Sequence, residues 1–191
     1  MIHKNKTYVI TGGYGFLGSA LINEIISCGG KVRTIGRDEF KLFKLKEKYG
    51  DQIDTIIGDI KNIEDVNHLI DKNIVGVFHL AAFKYVGAAE KNVLECVNSN
   101  VIGTINILTK STEAEVEFVM GVTGAAAVQV SGTYGATKML TEKLFFDFQR
   151  KTEKTKYRIL RYGNIMYSTG SVLCKWKDLI CDGEPITITK D

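Results

Sequence analysis

A tyrosine and a lysine at helical spacing are the strongest candidates for catalysis in this sequence. Tyr134 and Lys138 lie near the start of a predicted helix, where residues at i and i+4 share one face. An ammonium group beside a phenol lowers the pKa of the phenol toward a useful range. The phenolate could then accept a proton from a substrate hydroxyl while hydride leaves for a nicotinamide. Since this spacing also occurs by chance in many helices, it needs support from the rest of the chain.

A glycine-rich turn follows the first predicted strand and opens the first predicted helix. Gly12, Gly15 and Gly18 form a GxxGxxG pattern. Glycine allows the unusual dihedrals of the turn, the close approach of a pyrophosphate, and tight packing of the helix on the strand. The N–H groups that begin the helix would face the phosphates, so the pattern predicts a dinucleotide site; the alternative is a tight turn without a ligand. The predicted cofactor contacts here are Gly12, Gly13, Tyr14, Gly15, Phe16, Leu17 and Gly18.

The end of the second predicted strand indicates which dinucleotide binds. Sites for NAD usually place an acidic residue there, against the 2′-hydroxyl of the ribose. Here Arg37 occupies the position and Lys41 follows one turn later, and a guanidinium suits a 2′-phosphate. These residues favour NADP as the cofactor. Asp38 leaves NAD open, and Arg37 could also be an ordinary surface charge.

The ends of the third and fourth predicted strands add further cofactor contacts. Asp59 and Ile60 follow the third strand, where the carboxylate could accept a hydrogen bond from the adenine amino group or could instead cap the next helix. Ala81 and Ala82 follow the fourth strand, and small residues there let a cofactor lie across the strand ends. His79 is interpreted as a strand residue without a catalytic role.

Predicted strands and helices alternate along the chain. Short apolar runs predict strands at residues 7–10, 31–35, 53–57, 76–80, 117–122, 157–162 and 186–189. Helical spacing predicts helices at residues 16–28, 39–49, 63–70, 93–110, 133–150 and 171–181. This alternation predicts an α/β fold with a doubly wound parallel sheet, as in NAD(P)-binding Rossmann domains. We expect a Rossmann domain over residues 1–170 and the start of a truncated substrate-binding part over residues 171–191.

Composition narrows the classes of function. The net charge of the 191 residues is only +3, which gives no argument for nucleic acid as a partner. The four cysteines lie far apart without CxxC pairing, which argues against a zinc site and for reduced thiols. No apolar run approaches the roughly 18 residues that would span a bilayer. We therefore expect a cytoplasmic protein with no metal site and no membrane partner.

Seven stretches of the chain are typical of one enzyme family. They are TGGYGFLG, GRDEFK, GDIKN, HLAAFKYVGAAEKNVLECVNSNVIGT, TYGATK, RYGNIMYSTGS and GEPITITKD. On these motifs the chain resembles the extended short-chain dehydrogenase/reductase family. Within it, the chain is most similar to the inverting UDP-N-acetylglucosamine 4,6-dehydratases and their polysaccharide-biosynthesis relatives. The resemblance runs nearly from end to end, and the family's smaller C-terminal half is mostly missing.

The resemblance implies a redox-neutral cycle on a UDP-sugar with NADP as the cofactor. Tyr134 would assist oxidation at sugar C4, water would leave across C5 and C6, and hydride would return to C6. Lys138 would hold the cofactor ribose and tune Tyr134. The family also implies a homo-oligomer in which the two long predicted helices pair. Leu140, Leu144 and Phe148 fit such an interface, and they fit packing against the sheet equally well.

Five further site residues follow from the resemblance. Thr123, at the end of the fifth predicted strand, matches the Ser or Thr that hydrogen-bonds the substrate hydroxyl. Lys84 and Asn100 match positions that line the cofactor and the active site, and Lys84 also faces the substrate. Tyr162 and Asn164 match the loop near the nicotinamide, with Asn164 also near the substrate.

The chain departs from the dehydratase pattern at the elimination step. The family usually carries Thr-Asp-Lys after the fifth strand, and Gly124, Ala125 and Ala126 stand there instead. Alanine cannot move a proton. Three explanations compete: a disabled site, substitution by a nearby group such as Lys84, or redox chemistry at C4 alone, as in a 4-epimerase. Three functions therefore stay open for the chain: a dehydratase, an epimerase, or a cofactor-binding protein without activity.

Overall fold

The computed structural model describes residues 2–186 and residue 188. Six parallel strands form one sheet in the order β3-β2-β1-β4-β5-β6. They are β1 (Thr7–Thr11), β2 (Lys31–Gly36), β3 (Ile53–Ile57), β4 (Ile74–His79), β5 (Phe118–Gly124) and β6 (Lys156–Tyr162). The strand order reverses between β1 and β4, so a crevice opens at the carboxyl ends of these strands. The predicted doubly wound fold is confirmed.

Helices cover the sheet. They are α1 (Phe16–Ser27), α2 (Glu39–Tyr49), α3 (Ile63–Leu69), α4 (Val86–Lys91), α5 (Val93–Val97), α6 (Gly103–Glu113), α7 (Gly132–Lys151) and α8 (Val172–Cys181), with a π-helical turn at Asn98–Ile102 and 3₁₀ turns at Gly50–Gln52 and Ala125–Ala127. The bounds predicted for α2 hold because local signals fix both ends. Asp38 accepts a hydrogen bond from the Lys41 backbone N–H, and Gly50 adopts a φ of +56° after the last turn.

The core consists of two layers, one on each face of the sheet. Alternate residues of β1 supply them: Tyr8 and Ile10 join one layer and Val9 joins the other. Residues of α1 and α2 fill the first layer, and residues of α3, α6 and α7 fill the second. Since a parallel sheet buries both faces, its strands are nearly continuous apolar runs, which is how they were predicted.

The segment predicted as one helix over residues 93–110 is the largest departure. The structure divides it into α5, the π-helical turn and α6, and it adds α4 ahead of them. At the π-helical turn the carbonyl of Asn100 accepts hydrogen bonds from the hydroxyls of Thr104 (2.6 Å) and Thr141 (3.1 Å). A side chain from α7 therefore takes part in the local distortion, which apolar periodicity within one segment does not reveal.

The C-terminal residues are described only in part. The strand predicted at residues 186–189 includes two positions outside the described residues, and the described Ile186 and Ile188 belong to no strand. Helix α8 buries none of its side chains completely. The boundary predicted at residue 170 stays a prediction.

Candidate active site

The glycine turn, Gly12–Gly18, joins β1 to α1 at the reversal point of the sheet. Gly12 has a φ of +72°, and its carbonyl accepts the N–H of Gly15 at 2.9 Å. A Cβ at Gly18 would collide with the carbonyl oxygen of Gly12. No side chain caps the start of α1, so its first N–H groups remain available to an anion.

Backbone atoms of the segment that follows β4 close the other side of this turn. The N–H of Ala81 lies 3.0 Å from the point where a Cβ at Gly12 would stand. The Thr11 hydroxyl accepts the N–H groups of Leu80 (3.1 Å) and Ala81 (3.0 Å) and hydrogen-bonds with His79 Nδ1 at 2.8 Å. The small residues after β4 thus form the floor of the crevice, where a bulkier residue at position 12 has no room.

His79 is a buried strand residue, as the sequence predicted. Its Nε2 hydrogen-bonds with the hydroxyl of Thr104 at 3.0 Å. Burial, and then the nearby charge of Lys138, lower the pKa of His79 to about 3. The ring is therefore neutral across the physiological range and holds β1, β4 and α6 together.

The predicted 2′-phosphate ligands, Arg37 just after β2 and Lys41 in the first turn of α2, are already paired with acids. Arg37 Nη1 lies 3.2 Å from Glu95 Oε1 and 3.8 Å from Asp59 Oδ2. Lys41 Nζ lies 3.0 Å from Asp38 Oδ2 and 5.4 Å from the ring centre of Tyr14. Both predicted cations are thus paired with carboxylates, and Lys41 also lies near the ring of Tyr14.

Two contacts predicted after β3 differ in character. Asn62, not Asp59, caps α3, because its Oδ1 accepts the Glu64 N–H at 3.1 Å. Asp59 Oδ1 accepts the Lys61 N–H at 3.1 Å. The side chain of Ile60 is buried in the core, so only its backbone can face a cofactor.

Tyr134 and Lys138 lie on the first turns of α7, next to the carboxyl end of β5. Lys138 is 7% exposed, and its Nζ lies 5.9 Å from the centre of the Tyr134 ring. Burial lowers the pKa of Lys138 to about 8. Burial, followed by the neighbouring Tyr162 and Cys96, raises the pKa of Tyr134. The expected lowering of the phenol pKa is therefore wrong for this structure, because burial favours the neutral form of Tyr134.

Asn100 is a positioning residue for this region. Its Oδ1 accepts the N–H of Phe83 at 2.7 Å, and its Nδ2 donates to the Phe83 carbonyl at 3.1 Å and to the Thr137 hydroxyl at 3.0 Å. A cavity of about 10 Å³ lies beside it, lined also by Lys138 and His79. Asn100 therefore joins the segment after β4 to α7 next to the predicted catalytic lysine.

The remaining predicted site residues differ in how they are held. The hydroxyl of Thr123 on β5 is buried and has no hydrogen-bond partner among the described residues. Tyr162 ends β6 and is 38% exposed, and Asn164 is exposed in the loop that follows. Lys84 Nζ donates to the Thr169 carbonyl at 2.6 Å, which ties the segment after β4 to the loop after β6.

Comparisons with known proteins identify the family of the chain. The family model described as "Polysaccharide biosynthesis protein" matches residues 8–191. The chain belongs to this family. An uncharacterized membrane protein of Methanocaldococcus jannaschii is 34% identical over 98% of the chain and 57% of its own length. A UDP-glucose 4-epimerase of Rickettsia bellii is 33% identical over 97% of the chain and 57% of its own length.

The family resemblance to the extended dehydrogenase/reductase dehydratases is confirmed. The inverting UDP-N-acetylglucosamine 4,6-dehydratase of Campylobacter jejuni is 31% identical over 97% of the chain and 58% of its own length. The X-ray structure of Pen from Bacillus thuringiensis superposes with a TM-score of 0.93 at 33% identity, over 100% of this chain and 62% of that one. The chain thus spans less than two thirds of these relatives. Within the residues that the structure describes, no helix has the length and apolar character needed to cross a bilayer.

The elimination positions carry no group that transfers protons. Ala125 and Ala126 begin a 3₁₀ turn between β5 and α7. The N–H of Val128, just after this turn, donates a hydrogen bond to the Ala125 carbonyl at 2.9 Å. Gly135 packs against the Ala126 carbonyl so closely that a Cβ there would lie 2.8 Å from it. The turn packs tightly beneath the start of α7 and presents only methyl groups.

Two glutamates near the site received no role from sequence reasoning. Glu90 on α4 accepts the Thr133 N–H (2.6 Å) and hydroxyl (3.1 Å), which fixes the first turn of α7 one residue before Tyr134. Glu95 on α5 accepts two hydrogen bonds from Lys61 Nζ, each 2.9 Å long. The sequence signal for both is that they lie in a stretch typical of the family. Their roles could not be predicted from spacing, because their hydrogen-bond partners are distant in the sequence.

Proposed function

We propose that the chain is the cofactor-binding part of a nucleotide-sugar 4,6-dehydratase that uses bound NADP. One observation carries the proposal: a glycine turn without room for a Cβ at Gly12 or Gly18 lies at the same ends of the sheet strands as the buried Lys138 and the buried Thr123. Among the described residues the Thr123 hydroxyl has no hydrogen-bond partner, so it is available to a ligand. The dehydratase of Campylobacter jejuni, similar over 97% of the chain, supports the reaction class.

The residues present fit a dinucleotide. The uncapped start of α1 would bind the pyrophosphate, Arg37 and Lys41 the 2′-phosphate, and Asp59 the adenine amino group. Lys138 would bind the ribose of the nicotinamide. When bound, the nicotinamide supplies a hydride acceptor for sugar C4 and a hydride donor for C6.

The chain's own residues orient the UDP-sugar and move its protons. Tyr134 would accept the proton of the C4 hydroxyl, which Thr123 would hold by its free hydroxyl. Tyr134 would take this proton as the phenolate and become a neutral phenol, and Lys138, positively charged below its pKa of about 8, would face that phenolate with its Nζ 5.9 Å from the ring centre. Lys84 and Asn164 would contact the sugar.

A UDP-sugar 4-epimerase is the second candidate. Ala125 and Ala126 favour it, because epimerisation needs Tyr134 and Lys138 but no elimination pair. The similarity to the Rickettsia bellii 4-epimerase, at 33% identity, supports it as well. Incubation with UDP-N-acetylglucosamine separates the candidates: a 4-keto-6-deoxy product identifies a dehydratase, and a C4-inverted sugar an epimerase. Neither product, with the dinucleotide still bound, would identify an inactive cofactor-binding protein.

The cofactor is tested by fluorescence titration with NADPH and NADH. We expect the wild type to bind both and to prefer NADPH. Arg37→Ala should weaken NADPH binding about tenfold with little change for NADH, since a hydrogen bond to a charged group is lost. Arg158→Ala, which removes an arginine near the middle of β6, is the matched control. If neither dinucleotide binds the wild type, the proposal fails.

We also propose that the protein is a homo-oligomer through α7. Leu144 and Phe148 pack against the core, whereas Leu140 is 43% and Phe146 is 59% exposed on the same helix. Light scattering of wild type and Leu140→Asp tests this. A dimer that the substitution dissociates supports the interface, and a wild-type monomer contradicts it.

A further inference from the structure

Carboxylates already neutralise the two cations predicted to bind a 2′-phosphate. The charge cluster consists of a network of Arg37, Lys61, Asp59 and Glu95, with Arg37 adjacent in sequence to a separate pair of Asp38 and Lys41. A site built for NAD places a carboxylate against the ribose, and a site built for NADP places a free cation there. This cluster does neither, because each cation already faces an acid.

Glu95 differs from the other two carboxylates of the charge cluster. Asp38 accepts a backbone N–H at the start of α2, and Asp59 accepts the N–H of Lys61, so each has a structural task. Among the described residues Glu95 contacts only side chains: Lys61 at 2.9 Å, Arg37 at 3.2 Å and, weakly, the Ser99 hydroxyl at 3.5 Å. Its carboxylate therefore serves the cations alone.

The pair between Arg37 and Glu95 is suited to exchange. The side chains of Arg37 and Glu95 are 66% and 37% exposed, and exposed ion pairs stabilise a fold only slightly. A 2′-phosphate, with more charge and more acceptor oxygens, could therefore draw Arg37 away from Glu95. Lys61 donates to both oxygens of Glu95 and would keep that carboxylate paired after the exchange.

We infer that Glu95 determines the dinucleotide selectivity of this site by serving as the counter-ion of Arg37 when no 2′-phosphate is bound. The inference rests on the proposed dinucleotide binding at the glycine turn. With NAD(H), Arg37 stays paired with Glu95, and neither side chain loses its ion-pair partner. With NADP(H), the phosphate must replace Glu95 as the partner of Arg37. The site accepts both cofactors, and Glu95 limits the preference for NADP(H).

The experiment measures dissociation constants of NADP⁺ and NAD⁺ for the whole chain by calorimetry. Glu95→Gln keeps the size of the side chain and removes its charge. We expect the ratio of the NAD⁺ constant to the NADP⁺ constant to rise about fivefold, through tighter NADP⁺ binding, since one competing charge at an exposed site is removed. Glu113→Gln is the matched control, because among the described residues Glu113 forms an ion pair only with Lys110, at the far end of α6; its ratio should equal the wild-type ratio.

A second pair of variants shows whether Glu95 acts through Arg37. In an Arg37→Ala background, adding Glu95→Gln should leave the ratio unchanged, because the residue that Glu95 neutralises is gone. Glu95→Asp, which withdraws the carboxylate by one methylene, should raise the ratio less than Glu95→Gln and guards against a folding defect of one variant.

Each outcome bears on one claim. An unchanged ratio in Glu95→Gln, or an equal shift in the Arg37→Ala background, overturns the role of Glu95 and leaves dinucleotide binding standing. A wild-type chain that binds neither dinucleotide overturns the proposed function and this inference with it.

Discussion

The glycine turn and the region around Tyr134 and Lys138 share one edge of the sheet but are built in different ways. The glycine turn is a single local segment whose backbone N–H groups and lack of side chains make the site. The tyrosine–lysine region, defined as Tyr134 and Lys138 with the residues that hold them, joins α4, the π-helical turn and α7 through hydrogen bonds of polar side chains. One region depends on backbone conformation, and the other depends on hydrogen bonds between distant segments.

This difference teaches where each region is vulnerable. In the glycine turn a single added methyl group meets backbone atoms that cannot move. In the tyrosine–lysine region, removing one polar group leaves its buried partners unpaired, which costs free energy. The two regions should therefore separate binding from chemistry when they are altered one at a time.

The largest expected effect is on turnover. Tyr134→Phe should lower the turnover of UDP-N-acetylglucosamine about a thousandfold, because it removes the proposed proton acceptor. Its affinity for NADPH should stay unchanged, because the glycine turn is intact. Steady-state kinetics and fluorescence titration measure the two. Tyr49→Phe, which loses only a surface hydrogen bond to Asn23, is the control; turnover near the wild-type value in Tyr134→Phe would refute the assignment.

The next effect is on the stability of the tyrosine–lysine region. Asn100→Ala should lower the free energy of unfolding by about 3 kcal/mol, since it leaves the Phe83 amide and carbonyl and the Thr137 hydroxyl without their partner. Urea denaturation measures the change. Asn73→Ala, at an exposed position, should have almost no effect. A loss below 1 kcal/mol for Asn100→Ala would mean that water replaces these bonds without cost.

The glycine turn should respond in binding as well as in stability. Gly18→Ala should abolish measurable NADPH binding and cost about 2 kcal/mol, because its Cβ would meet the Gly12 backbone. Gly87→Ala, on α4 with no atom near the new Cβ, should bind normally and be as stable as the wild type or slightly more so. Equal NADPH affinity in the two variants would contradict the role given to the turn.

The smallest expected effect is a pH dependence of stability that comes from His79, which hydrogen-bonds with Thr11 before the glycine turn and with Thr104 on α6. The pKa of His79 is about 3 in the folded protein, against 6.5 for an ordinary histidine, so near pH 5 the unfolded chain binds a proton that the folded chain does not. Stability should therefore fall as the pH falls below 6.5, with a limiting slope of roughly 1.4 kcal/mol per pH unit.

Urea denaturation between about pH 7 and pH 5, above the range where most carboxylates titrate, measures this slope. In His79→Gln the slope should nearly vanish, whereas His68→Gln, at an exposed position on α3, controls for the loss of one imidazole. A slope that His79→Gln leaves as steep as in the wild type would assign the proton uptake to other groups.

Much of the fold was predictable because its signals are local. Six strands, the glycine turn and the ends of α2 follow from apolar runs, glycine positions and an Asp cap. The helix predicted over residues 93–110 is helical throughout, but the π-helical turn within it was not predicted; there Thr141 reaches the Asn100 carbonyl from another helix. The capping role considered for Asp59 was wrong because Asn62, three residues later, is the residue that faces the helix start.

The sequence by itself determined which chemical groups this protein has and the order of its elements. Glycine, tyrosine and lysine at these spacings restrict the backbone and the side-chain chemistry wherever they fold. Only the tertiary structure decided their charge states and partners. Lys138 has a pKa of about 8 because it is buried, and Arg37 meets Glu95 from a position 58 residues away. Desolvation and ion pairing depend on neighbours that folding brings together, which is why neither could be derived from spacing along the chain.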